Sequence, residues 1–144
     1  MAVVQDGVAG PVGLDDVVGG DGETRLLEPL GVHAHALSFL NFLIAEPVAA
    51  VGLYRSGVLV QIPRPERYAV HKLIVANRRP ASARAKARKD LAQAEALITV
   101  LADDRPHLLT EAYRVACDAG PHWRAALDAT LGRRPDLKAL LDGL

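Results

Sequence analysis

Val48-Ala49-Ala50-Val51-Gly52-Leu53-Tyr54, Arg55-Ser56-Gly57 and Val58-Leu59-Val60-Gln61-Ile62-Pro63-Arg64-Pro65 run consecutively, and in this stretch the chain changes its period. Two β-branched apolar runs around a short turn containing glycine predict a hairpin over 48–62. Pro65 then suits the first turn of a helix, where its missing N–H costs nothing. On a helical projection of 65–79, Ala69, Val70, Leu73, Ile74 and Ala76 share one face, which should pack inward. Downstream the punctuation is regular. A second helix spans about 83–102 with Ala87, Leu91, Ala94, Ile98 and Leu101 as its stripe; others start at Pro106 and Pro121 and stop at Gly120 and Gly132. A last turn or two follows Pro135. The expected fold class is α+β: a small antiparallel sheet containing the hairpin, then a carboxy-terminal bundle of three to five helices.

Upstream, Leu37-Ser38-Phe39-Leu40-Asn41-Phe42-Leu43-Ile44 reads as a short apolar helix stopped by Glu46-Pro47. The stretch 36–54 holds a single charge, which raises a membrane span; Glu46-Pro47 near its middle, with Ser38 and Asn41, argues against one. Residues 1–25 contain six of the twelve glycines and follow neither period, so they read as a loose leader. A short strand at Val3-Val4 or Asp16-Val17-Val18 is the alternative there. The expected organisation is a leader over 1–25 and one partial domain over 26–144, with a sheet remnant at 26–63 and a helical part at 64–144.

Half of the 144 residues are hydrophobic, enough for a core without disulfides or structural metal. The lone cysteine, Cys117, excludes a disulfide framework and a thiolate zinc site. The amino terminus lacks the basic start and apolar run of a signal peptide, so a cytoplasmic protein is expected. The formal charge of zero hides an asymmetry: residues 1–46 balance at −6, and residues 64–90 at +7. The middle of the chain therefore suits a polyanion and the first third does not.

The candidate chemistry lies between Pro63 and Gln93. Lys72 falls beside the inward face of its helix, with Tyr68, Val75 and Arg79, and Lys72 and Arg79 are two turns apart on one side. Asp90 sits at the edge of the next helix's apolar stripe, while Lys89 points away. A partly buried carboxylate there can pair with Lys72, orient a substrate or move a proton. On pattern alone the plainer account, solvated cations and an ordinary ion pair, carries more weight. His33 and His35 would share a strand face as a surface pair, and His71 reads as a packing residue. Asp15-Asp16 point to opposite strand faces, so they make no metal pair. Cys117 reads as buried and inert. No Gly-rich phosphate loop, Ser-His-Asp set or HExxH occurs.

A resemblance adds to this reading. The runs 39–44, 57–63 and 65–73, then Lys86-Ala87-Arg88-Lys89-Asp90-Leu91-Ala92-Gln93-Ala94 and Gly120-Pro121-His122-Trp123-Arg124, are similar to the carboxy-terminal half of a bacterial nucleotidyltransferase-fold family. That family belongs to the DNA polymerase beta-type superfamily and is related to the nucleotidyltransferase toxins of abortive-infection systems. The resemblance covers roughly 26–130. It implies that Lys72 contacts nucleotide phosphates, which Arg79 on the same stripe can assist, and that Lys89-Asp90 matches a pair assisting the reaction, with Asp90 as the catalytic residue. It also implies a nucleoside triphosphate partner and magnesium.

The departure is equally informative. Such enzymes carry a Gly-Ser or Gly-Gly turn followed by an Asp-x-Asp strand that binds the divalent metals, and residues 1–36 supply no such set. No metal ligand is assigned. The expectation is a chain lacking the catalytic half and inactive alone, through a gene fragment, a frameshifted start or a misassigned initiator. One edge or face of its sheet should be exposed, inviting self-association. The alternative function is a non-catalytic helical module that binds nucleotide, protein or nucleic acid, the last through residues 78–89.

Overall fold

The structure, a computed structural model, describes residues 24–27, 32–35 and 39–144. The chain divides between Asn41 and Phe42 into two units. In the first, strands β1 (Thr24–Leu27) and β2 (Val32–His35) pair antiparallel with Thr24 opposite His35. β1 begins inside the stretch read as leader, because its two apolar residues gain a partner strand that the local pattern does not reveal. His33, on β2, is exposed. The suggested strands at 3–4 and 16–18 lie outside the described residues.

In the second unit, the tail of helix α1 (Leu40–Ile44) leads into strands β3 (Val48–Tyr54) and β4 (Ser56–Ile62). These pair antiparallel from Val48 opposite Ile62 to Tyr54 opposite Ser56. The turn is tighter than the expected three residues. Arg55 alone links the strands, in the left-handed region at φ 57°. Gly57 follows for a steric reason: a Cβ there would sit 2.9 Å from Cγ1 of Val51.

Five helices complete the unit: α2 (Pro65–Arg78), α3 (Arg84–Asp104), α4 (Pro106–Asp118), α5 (Pro121–Leu131) and α6 (Pro135–Asp142). All but α3 begin with proline, as expected. The sheet-then-bundle order makes the fold α+β, as the pattern implied, although the four strands form two separate two-stranded sheets. The core lies along α2, whose Ala69, Val70, Leu73 and Ile74 are completely buried. Against them pack Ala94 and Ile98 of α3, Leu109 and Ala116 of α4, and Leu127 and Leu131 of α5. Thr130 of α5, itself buried, donates from Oγ1 to the Leu73 carbonyl at 2.8 Å and fixes α5 against the centre of α2. Phe42 meets Trp123 edge-on at 5.3 Å, and Arg67 covers the Phe42 ring at 5.1 Å. Among the described residues, no helix is long and apolar enough to cross a membrane.

Candidate functional site at the α2–α3 seam

Arg79 ends α2 because Pro80 follows it. The residue before proline is pushed out of the helical region, and Arg79 is extended at φ −64°, ψ 131°. A 3-10 turn at Ala81–Ala83 then reverses the chain into α3. Ion pairs at both ends show that α3 runs back along α2. Arg79 at the end of α2 meets Asp90 near the start of α3, and Glu66 at the start of α2 meets Arg105 just past the end of α3.

On α3 the inward line is Asp90, Ala94, Ile98 and Leu101, at helical spacings of four, four and three. Asp90 thus occupies a core position in register with three apolar residues, rather than the edge of the stripe, and only 4% of its surface is exposed. A carboxylate there needs partners. Lys72 donates from Nζ to Oδ1 at 2.7 Å, and Arg79 donates from Nε to Oδ2 at 2.9 Å. Lys72 is itself mostly covered, while the Arg79 side chain reaches solvent. The structure therefore joins all three residues singled out from the sequence.

The electrostatics follow from this geometry. Burial pushes the Asp90 carboxyl upward, but the hydrogen bonds and charges of Lys72 and Arg79 outweigh it and hold the group below its ordinary range. Burial pulls Lys72 down, and Asp90 with Tyr68 outweighs that too, so the ammonium is held above its ordinary value. Tyr68, placed by the sequence on the same side as Lys72, was given no role there. One turn before Lys72 on α2, its ring centroid lies 5.1 Å from Nζ, which places the ammonium between a carboxylate and an aromatic face. The i, i+4 spacing was visible, and the missing signal was that Lys72 would turn inward along it.

His71, beside this cluster, is pushed down to about 4, chiefly by burial and then by Lys72, with Asp90 opposing. It is neutral at physiological pH. Lys89 is exposed, in keeping with its outward placement. Cys117 is half-buried rather than buried, and burial raises its thiol, away from nucleophilic use.

A match to known sequences bears on this arrangement. A family model described as nucleotidyltransferase matches residues 17–118. The chain belongs to that family. No curated protein and no solved structure matches the chain. The matched segment of this nucleotidyltransferase-family chain includes Lys72, Arg79 and Asp90 as well as residues 17–25, which the sequence reading had set aside as leader. The family generally uses a divalent metal, yet among the described residues no group of three or more His, Cys, Asp or Glu side chains converges to hold one. Asp90 does not fit such a role either, because both its oxygens already accept from cations. Magnesium is thus not placed by the seam.

Proposed function

We propose that this chain binds a nucleoside triphosphate at the α2–α3 seam, with Lys72 and Arg79 as its phosphate-binding cations and Asp90 as the carboxylate that positions them. The observation that supports this most is the division of Asp90, one oxygen to each cation, within a segment that matches nucleotidyltransferases. Lys72 commits one of its three N–H donors to Asp90, and Arg79 commits Nε. Tyr68 also engages the ammonium, and what is left of it, with the two η nitrogens of Arg79, can meet phosphate oxygens, lysine as a point charge and arginine as a fork. Asp90 holds no proton at neutral pH and offers no free oxygen, so it is a positioning residue rather than an acid or base.

The reaction class is nucleotidyl transfer, in which an acceptor attacks the α-phosphorus and pyrophosphate leaves. We place the chain with the DNA polymerase beta-type superfamily, near the abortive-infection toxins, and in the cytoplasm. The sequence contains no Asp-x-Asp, and these 144 residues alone bind the triphosphate without transferring it. That restriction keeps a second reading open, a nucleotide-binding module without catalysis, which the two-cation commitment of Asp90 favours. The chain also self-associates through the hairpin face that carries Val51, Leu53 and Leu59, all exposed and uncharged.

Competition binding tests the reading. ATP, GTP and inorganic tripolyphosphate should displace one another from a single site, and adenosine should displace none of them, because phosphate carries the recognition. Adenosine binding as tightly as ATP, or no triphosphate binding at low salt, would overturn it. Incorporation of labelled nucleotide by the 144 residues with magnesium would overturn the inactivity and point to Asp15, Asp16, Asp21 and Glu23 as ligands.

A further inference from the structure

Many cations of the second unit are paired. Arg64, Arg67, Arg105, Arg124, Arg134 and Lys138 each face a carboxylate within 4 Å. Arg84, Lys86, Arg88 and Lys89, on the first two turns of α3, are exposed and face none among the described residues. No acidic residue occurs from 78 to 89, and the next one, Asp90, is buried and already shared by Lys72 and Arg79. Among the described residues, no carboxylate neutralises the charge on this ridge. That charge also opposes the helix that carries it, because Arg84 and Arg88 stand four apart and Lys86 and Lys89 three apart, spacings at which like charges repel.

We propose that this ridge, Arg84, Lys86, Arg88 and Lys89, seats the phosphate backbone of a polynucleotide acceptor. Its role as an acceptor site rests on the transferase reading above. The residues between the cations are Pro80, Ala81, Ser82, Ala83, Ala85 and Ala87, all small or compact. Small side chains let a phosphate backbone approach closely. They supply neither the large apolar groups that insert into a membrane nor the aromatic faces on which single-stranded bases stack. What remains is phosphate contact without base readout, which suits a duplex held by its backbone. The position fits an acceptor: Lys86 precedes Asp90 by one helical turn, so the ridge continues into the Lys72–Arg79 cluster.

Fluorescence anisotropy of a short labelled RNA duplex, and of a DNA duplex of matching sequence, against the 144-residue chain over a potassium chloride series provides the test. Four contacts predict that log K falls with log salt at a slope of about −3 to −4 on the DNA duplex. The double variants Arg84→Ala with Arg88→Ala, and Lys86→Ala with Lys89→Ala, should each flatten that slope by about two and weaken binding at least tenfold. These side chains are exposed, and circular dichroism should show unchanged helix content. No duplex binding at low salt, a slope that neither double variant changes, or capture by phosphatidylserine vesicles in place of either duplex would overturn the proposal. Triphosphate binding by the unaltered chain, measured on the same preparation, reports on the earlier reading separately. Duplex binding absent with triphosphate binding present rejects the ridge alone.

Discussion

The α2–α3 seam and the β3–β4 hairpin both carry large aliphatic side chains, and they are covered very differently. Along the seam Leu73, Ile74 and Ile98 are wholly buried. On the hairpin Val51 is 62%, Leu59 73% and Leu53 93% exposed, although residues 48–62 hold a single charge, Arg55. The contrast follows from periodicity. The helices show apolar residues on one side only, so the covered face is specified by the chain itself. The hairpin is apolar on both faces: Val48, Ala50, Val58, Val60 and Ile62 on one, Ala49, Val51, Leu53 and Leu59 on the other. Strands that read this way are built to be covered on both sides. The seam is where the unit holds its stability, and the hairpin is where it offers surface.

Substitutions can break or sharpen that contrast. The largest effect is expected at Leu73. Leu73→Ala opens a cavity where four helices converge and should cost about 3–4 kcal/mol in urea unfolding. A loss under about 1 kcal/mol would mean that the seam is not the centre of the fold. Next comes Asp90→Asn, which leaves two cations sharing one neutral acceptor and should cost about 2 kcal/mol, less than a fully buried pair would because Arg79 reaches solvent. Its pH signature is specific. The Asp90 carboxyl is lowered in the fold, so its contribution is present above the ordinary carboxylate value near 4 and is lost as pH falls through the lowered value. Asp90→Asn should therefore flatten the acid limb of stability against pH below about 4, and an unchanged acid limb would show that the pairing contributes nothing to the fold. The smallest effect on stability belongs to the hairpin. Leu53→Ser should move unfolding by less than about 0.5 kcal/mol, since so little of the side chain is covered. It should nonetheless shift the chain toward monomer in sedimentation. A large loss of stability with no change in association would reverse the assignment of the two regions.

The same contrast marks how far the sequence could be read. The hairpin, the helix starts at Pro65, Pro106, Pro121 and Pro135, and the inward face of Ala69, Val70, Leu73 and Ile74 were legible because each rests on local sterics or period. Lys72, Arg79 and Asp90 were legible as candidates, and their union was not. It depends on Pro80 ending α2 so that Arg79 is extended, and on α3 folding back to bring Asp90 between the two cations. The depth of Asp90 was underestimated because a carboxylate at a core register looks like an edge residue until its partners are known. β1 was missed because four residues with two apolar side chains carry no period until β2 pairs with them. The contact of Tyr68 with Lys72 was missed because it depends on which way the lysine turns.

The central claim is that the seam binds triphosphate through Lys72, and equilibrium titration with a nucleoside triphosphate at low salt tests it most directly. Lys72→Ala should be compared with Arg114→Ala, an exposed cation on α4 outside the seam, at equal helix content. The account predicts at least a tenfold loss of affinity for Lys72→Ala and none for Arg114→Ala. Equal affinity in the two variants would contradict it and leave Lys72, Arg79 and Asp90 as a structural clasp between two helices.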